Sequence, residues 1–273
     1  ETRPDSTGLY SEIDQALSWR YPYQGAAQAP AKLSVTQARG RLYPEEDPES
    51  AKARWLNPLI RPSAEPPAFI AGPAAEASLA RGTALHKLLS QIEPAKALKS
   101  IGQRRESFAP AGEEAYGKAA AAYLEELAEG LLSKRFLTPR EKEYLDTGPL
   151  LRYLSGPLFL RAAAADARGL CQREASFTIS IPARRLYPDL GAAGEDPVMI
   201  QGAIDLFFEE EEGLVLVDYK TDRVRPGEEE RLVRDYRGQL LLYGEALLAL
   251  SGGKPIKELL IYSLALGKTI PVI

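Results

Sequence analysis

The chain has a single cysteine, Cys171, in 273 residues. That excludes an internal disulfide framework, an iron–sulfur cluster held by four cysteines of this chain, and a thiolate-rich zinc site. Long apolar runs are missing as well. None approaches the roughly 20 residues of a membrane span, and no secretory leader is visible. Neither GxxxxGK followed by Ser or Thr nor GxGxxG occurs, so nucleotide binding by these phosphate-cradling loops is unsupported. Surplus positive charge is lacking too. The chain carries 34 Lys and Arg against 38 Asp and Glu, a formal net charge of -4. This argues against a general basic coat for nucleic acid and leaves room for a local basic groove. The first residue is Glu1, not methionine, so the chain reads as a fragment of something longer. A reducing, cytoplasmic setting is the expectation.

What is present centres on residues 201–220, QGAIDLFFEEEEGLVLVDYK. Two apolar strands are expected, Gln201–Phe208 and Leu214–Lys220, joined by an acidic turn over Glu209–Gly213. Alternation puts Asp218 and Lys220 on one face with Leu214 and Leu216, and Val215, Val217 and Tyr219 on the other. A carboxylate and an ammonium on so apolar a strand require a partner, a metal or water, since burying either alone is costly.

Around this hairpin the reading is coarser. Residues 1–32 form an irregular arm, with a short helical hint at Ile13–Leu17, and residues 33–273 form one domain. The segment 33–39 starts a helix capped by Ser34. Residues 44–73, rich in proline and mixed charge, read as a loop or disordered insertion. Order resumes at Ala74 with a helix whose stripe is Leu85, Leu88, Leu89 and Ile92; Gly82 interrupts it, and Thr83 caps its continuation. A second helix covers Gly112–Leu132. Short elements follow over 136–154, then a helix at Pro157–Ala167, a strand at Cys171–Ile181 and a polar loop at Arg184–Pro197. Beyond the hairpin come a long helix, Glu228–Leu250, and a strand, Glu258–Leu264. Thr269–Ile273 adds a short strand that Pro271 confines to a sheet edge. This order predicts an α/β fold, a central mixed sheet with helices on both faces.

Asp205, Asp218 and Lys220 are the strongest chemical set. Adjacent antiparallel strands lie roughly 5 Å apart, so two carboxylates on one face can share a hard cation such as magnesium or manganese. A lysine beside them can orient a water and stabilise negative charge, which is what phosphodiester hydrolysis needs. The same residues equally suit a solvated strand end with an ordinary Asp–Lys pair. His86, the only histidine, is either a half-buried helix residue or a nitrogen ligand. Gln239 and Tyr243, four apart, share a helix face, with Tyr236 close to it. Their polar tips either meet solvent or support Lys220 or a nucleic-acid backbone. Arg223, Arg225, Arg231 and Arg234 are weak candidates for phosphate contact. For the helix arginines, diluted by the glutamates at 228–230, a solvated face is the favoured reading.

His86 in GTALHKLL, Asp205 in QGAIDLFF, VDYKTD at 217–222 and YRGQLLLY at 236–243 resemble the RecB-type nuclease branch of the PD-(D/E)xK superfamily. Each piece is weak; the ordered set is specific. LSWRYPY at 17–23 and AKLSVTQ at 31–37 are similar to the segment before the nuclease domain in the A subunits of bacterial AddAB helicase–nucleases, and the lone cysteine agrees. The resemblance implies a restriction-endonuclease-like α/β core that cuts DNA with Mg2+, for which Mn2+ substitutes, without an iron–sulfur cluster and without a nucleotide site in this fragment. It implies His86, Asp205 and Asp218 as metal ligands, joined by the carbonyl of Tyr219 and, more weakly, by Glu174. Lys220 becomes the residue that activates water, supported by Gln239 and Tyr243. The implied substrate is single-stranded DNA delivered by a helicase motor during double-strand-break processing. The implied partners are the helicase portion of the same polypeptide and an AddB-like second subunit, with no membrane. Two alternatives stand beside this reading: a catalytically silent DNA-binding or subunit-docking module, and a nuclease of the same fold acting on RNA or branched DNA.

Overall fold

The fold is taken from a computed structural model that describes residues 6–19, 27, 29–43, 68–105 and 112–273. Its centre is a six-stranded mixed sheet. The strands are β1 (Lys32–Ser34), β2 (Cys171–Pro182), β3 (Pro197–Glu210), β4 (Gly213–Lys220), β5 (Ile256–Ser263) and β6 (Lys268–Pro271). The order is β1-β3-β4-β5-β6, with β2 paired to β3 along its length. β1–β3 and β4–β5 are parallel, and the remaining pairs are antiparallel. The expected mixed sheet is therefore present, with Pro271 on its edge strand as the missing amide of proline demands.

Helices cover both faces. On one lie α3 (Ala68–Gln91), α4 (Pro94–Arg105), α5 (Glu113–Ser133), α6 (Pro139–Glu143), α7 (Gly148–Leu154) and α8 (Pro157–Asp166). Leu88, Ile101, Leu124 and Phe159 pack there on Val215 and Val217. On the other face α2 (Val35–Leu42) and α9 (Glu229–Leu250) cover Ile200, Ile204, Leu216 and Ile261. Each such fully buried side chain contributes roughly 1.5–3 kcal/mol. Pro139 and Pro149 sit in the first turns of their helices, where a missing N–H costs nothing. Ser34 and Gln37 form a complete capping box on α2.

Several boundaries differ from expectation. The arm contains a longer helix, α1 (Ser6–Ser18), whose Tyr10, Ile13 and Leu17 are exposed. α3 begins at Ala68, so 68–73 is helical despite Pro73, and the alanine-rich stretch outweighs one proline near a helix start. Residues 44–67, the rest of the expected insertion, lie outside the described residues. Gly82 does not interrupt α3, and Thr83 caps nothing. α4 was not foreseen, because its buried stripe is thin, Pro94, Ala97 and Ile101 with Leu98 half-buried, between lysines and arginines. The polar loop after β2 holds two 3-10 turns that bury Leu186 and Ala193. The hairpin turn is shorter than expected: β3 runs on to Glu210, leaving only Glu211 and Glu212 before Gly213. Gly213 has φ +140, and a Cβ there would lie 2.4 Å from the Pro255 carbonyl oxygen, so the tight turn requires glycine.

One feature of the sheet shapes its acidic end. In an unbroken strand residues two apart share a face. On β3, Val198, Ile200 and Ile204 face the α9 side, whereas Leu206 and Phe208 face the α5 side. The strand turns over at Asp205. Its partner β2 turns over with it. Phe177 and Ile181 lie on the α9 side and Cys171 on the other, with Glu174 at positive φ, +48. Pairing continues on both sides, Arg173 with Leu206 and Ala175 with Ile204, so no residue is inserted. A glutamate in the left-handed region costs roughly 1–2 kcal/mol. Strain of this kind collects at functional sites.

Candidate active site

The antiparallel pairing of β3 with β4 ends at Leu206 and Val217. Asp205 and Asp218 are the next residues along. Here the strands exchange ladder bonds for side-chain bonds: the Tyr219 backbone N–H donates to Asp205 Oδ2 at 2.8 Å. The two carboxylates therefore meet where the hairpin opens, with Glu174 of β2 in register beside Asp205.

Asp218 is 1% exposed. A solvated strand end is thereby excluded. Gln239 Nε2 of α9 donates to Asp218 Oδ1 at 2.9 Å and to the Tyr243 hydroxyl at 3.0 Å. The expected polar row on this helix thus points inward, to the carboxylate. The other oxygen, Asp218 Oδ2, is buried and finds no hydrogen-bond donor in bonding geometry among the described residues. Lys220 Nζ stands 2.6 Å from it as an ion pair.

The electrostatics are those of partly compensated negative charge, with one ammonium, Lys220, facing two carboxylates. Burial pushes the Asp205 carboxyl up to about 6, opposed by the Tyr219 amide and Lys220 and reinforced by Glu174. Burial likewise raises Asp218 to about 6; Lys220 opposes this, and the neighbouring Asp205 adds to it. Burial raises Glu174 too, with Arg173 opposing. His86 of α3 belongs to the same field. Burial holds its imidazole below the usual value, Lys220 adds to that, and Asp218 and Asp222 act against it. Asp205 and Asp218 thus meet at the open end of the hairpin, while Glu174 and His86 lie near enough for charge to be felt between them and these groups.

The donor chemistry fits a hard divalent cation. It offers carboxylate oxygens, one orphaned and buried, and a single neutral nitrogen. Among the described residues no group of three His, Cys, Asp or Glu side chains is placed to hold a metal ion. Magnesium is commonly held by one or two carboxylates plus waters and substrate phosphate, so an open donor set is the form such a site takes.

Sequence reasoning missed two of three further contacts, the first and the last below, and left the second, between Tyr236 and Lys220, as one of two alternatives. Tyr236 donates its hydroxyl to Asp222, 2.9 and 3.0 Å from the two oxygens. Lys220 Nζ lies 4.1 Å from the Tyr236 ring centroid. The third is at Gly82, where a Cβ would lie 3.0 Å from Thr221 Oγ1. The bare backbone lets α3 approach β4, one turn before His86. The GTALH spacing carried that signal, but a glycine in a helix reads first as a weakness. The basic candidates separate. Arg231 and Arg234 are exposed and flank Asp235 at 3.7 and 3.9 Å, a solvated face. Arg223 and Arg225 are exposed in the loop after β4.

A mixed sheet whose hairpin splits around two aspartates, Asp205 half-buried and Asp218 buried, with a lysine two residues past the second, is the Asp…Asp-x-Lys arrangement of a nuclease core. The PD-(D/E)XK nuclease superfamily matches residues 60–269, and the chain belongs to that superfamily. Its relatives include the A subunits of several bacterial ATP-dependent helicase/nucleases. That of Desulforudis audaxviator is 34% identical over 249 residues, which are 90% of this chain and 18% of that protein. That of Acetivibrio thermocellus is 31% identical over 253 residues, 92% of this chain and 18% of the relative. That of Desulforamulus reducens is 26% identical over 268 residues, 98% of this chain and 19% of the relative. The chain thus spans about a fifth of the length of these relatives. No described helix is long and apolar enough to cross a membrane.

Proposed function

We propose that this chain is the nuclease part of a helicase–nuclease subunit. It hydrolyses DNA phosphodiesters, acting as an exonuclease on single-stranded DNA that a motor delivers during double-strand-break repair in the cytoplasm. The observation that carries this is the opening of the β3–β4 hairpin around Asp205 and Asp218, with Lys220 beside the orphaned Asp218 oxygen. The relatives are named for both activities, and this chain corresponds to a fifth of them, so we assign it the nuclease share and leave the motor to the remainder. An AddB-like second subunit completes the complex.

In this reading Asp205 and Asp218 hold Mg2+, or Mn2+ in its place, with the Tyr219 carbonyl, His86 and Glu174 available as further donors. A bound divalent ion supplies Lewis acidity and charge neutralisation at the scissile phosphate. The chain supplies the rest. Lys220 orients the attacking water, whose proton passes to solvent, and its ammonium stabilises charge on the phosphoryl oxygens as the bond to the leaving 3′ oxygen breaks and that oxygen takes a proton from solvent. Gln239 fixes the Asp218 carboxylate, and Tyr243 fixes Gln239. Arg223 and Arg225 are placed to meet backbone phosphates by their position just past Lys220.

The test is cleavage of end-labelled single-stranded DNA in magnesium, manganese and EDTA, beside Asp218→Ala and Lys220→Ala. Metal-dependent cutting lost in both variants is expected; cutting that survives both substitutions overturns the site assignment. The absence of a three-ligand metal cluster among the described residues favours one rival, a binding module without catalysis. Tight, salt-sensitive DNA binding with no cleavage, in the chain and in the assembled complex, would establish that rival. Duplex, junction and RNA substrates in the same assay decide the substrate class.

A further inference from the structure

Lys220 ends in four flexible carbons, and an ammonium that must meet one water and one phosphate cannot be left to roam. Its surroundings restrict it from two sides. On one, Asp218 Oδ2 lies 2.6 Å from Nζ. On the other, the Tyr236 ring centroid lies 4.1 Å away, so the ammonium sits over the negative face of the aromatic system. The ring is itself fixed. Its hydroxyl donates to both oxygens of Asp222, only two residues beyond Lys220 in the chain. Arg39 of α2 approaches the same ring, with its guanidinium carbon 5.6 Å from the centroid, and donates to the Asp235 carbonyl at 3.0 Å. Tyr236, itself on α9, is held by groups from two other segments: Asp222 in the strand-end loop and Arg39 on α2.

We propose that Tyr236, locked by Asp222, is the positioning residue for Lys220. The ring forms the wall that keeps the ammonium near Asp218 in the absence of substrate. It also leaves the nitrogen free to turn, since a π face, unlike a second carboxylate, takes up none of its protons in a directed hydrogen bond. The Asp222 carboxylate acts one step further out, by setting the ring plane. Tyr236 and Asp222 touch neither water nor phosphate in this scheme. The inference rests on the assignment of Lys220 to water activation, and it also makes a claim about metal-free geometry that is independent of that assignment.

Two measurements on the 273-residue chain test it. The first is the NMR shift of the Lys220 ε-methylene, identified by its loss in Lys220→Ala. A ring this close displaces those protons upfield. Tyr236→Leu abolishes the displacement, Tyr236→Phe keeps part of it, and Asp222→Asn reduces it. An ε-methylene at the ordinary lysine position in the wild type overturns the proposal whatever the enzyme does. The second is the kcat and KM split for single-stranded DNA cleavage. Tyr236→Leu lowers kcat roughly tenfold or more with KM nearly unchanged, and Tyr236→Phe recovers most of it. Wild-type kcat in Tyr236→Leu, with Lys220→Ala inactive, sinks the positioning role and leaves the nuclease reading intact. Cleavage unaffected by Lys220→Ala sinks the assignment of Lys220 to water activation instead, and the NMR result still decides where Lys220 is held.

Discussion

The hairpin of β3 and β4 carries buried or half-buried carboxylates at both ends, and the two ends are opposites. At the closed end Glu210 is met by Arg161 through two guanidinium nitrogens, Nε and Nη2, each 2.9 Å away, and by Lys257 at 2.9 Å. Arg161 also reaches Glu258 of β5, and Lys254 reaches Glu209 at 2.5 Å. Arg161 and Lys257 hold the Glu210 carboxyl down at about 2. At the open end Asp205 and Asp218 are pushed the other way, to about 6. The same structural unit thus contains acids whose charge is fully answered and acids whose charge is not. The answered end joins α8 to the sheet. The open end holds more carboxylate charge than its one ammonium, Lys220, balances, which is how a binding site for a divalent ion differs from a structural ion network.

The sharpest way to break the comparison is chemical. Asp218→Asn and Lys220→Ala each lower cleavage of single-stranded DNA by roughly 10^3-fold or more, the scale on which removal of a charge-stabilising group acts. EDTA has the same effect on the wild type. If Asp218→Asn and Glu210→Gln reduced cleavage equally, the two ends would not differ in kind.

The next effect is on stability and pH. The folded-state value of Asp205, about 6, lies above its ordinary 3.8. The folded chain therefore binds that proton more tightly than the unfolded one. The associated stability is fully present below pH 4 and is lost as pH rises through 6. Asp205→Asn removes the liability while keeping an oxygen for the Tyr219 amide. In metal-free buffer at pH 7 the variant should exceed the wild type by on the order of 3 kcal/mol in urea unfolding, and the two should converge near pH 4. Parallel curves across that range would mean that the Asp205 charge is already satisfied.

A smaller effect separates positioning from chemistry. Gly82→Ala places a methyl 3.0 Å from Thr221 Oγ1, tight enough to push α3, and His86 with it, away from β4. Helix propensity gains about 1 kcal/mol by the change, so thermal stability should hold or rise while cleavage falls several-fold. Adding Thr221→Ala removes the opposing oxygen and should restore much of the rate. A double variant no better than Gly82→Ala would show that the contact with Thr221 is not what matters.

How much of this was legible follows from the same geometry. The alternation in Leu214–Lys220 placed Asp218 and Lys220 on the face they occupy, because β4 is a regular strand buried on both sides. Gln239 and Tyr243 were legible as a pair by their spacing of four, and the structure turns that face toward Asp218. Asp205 was legible as an acid in an apolar run, but not the turning-over of β3 around it, which needs the partner strand and the positive φ of Glu174. The Asp222–Tyr236 contact joins a loop to a helix, and no periodicity links them. α4 escaped because a proline, an alanine and one isoleucine, with a half-buried leucine, give too faint a stripe in a charged helix. The acidic turn misled in one respect. Four consecutive glutamates read as solvent-facing, whereas the first two lie in β3 and find cations on α8 and β5 and just ahead of β5.

That misreading supplies the mildest test. Glu210 titrates near 2 in the folded chain against an ordinary 4.5, so its contribution is present above pH 4.5 and is lost as pH falls through 2. This slope is opposite in sign to that of Asp205. Its size is modest, because Arg161 keeps Glu258 and the network is partly solvated. Glu210→Gln should cost about 0.5–1 kcal/mol in urea unfolding at pH 7 in low salt, less at high salt, and leave cleavage of single-stranded DNA at the wild-type rate. A loss of cleavage without loss of stability would mean that the closed end communicates with the carboxylates along the hairpin. The structural and chemical ends would then be one cooperative element.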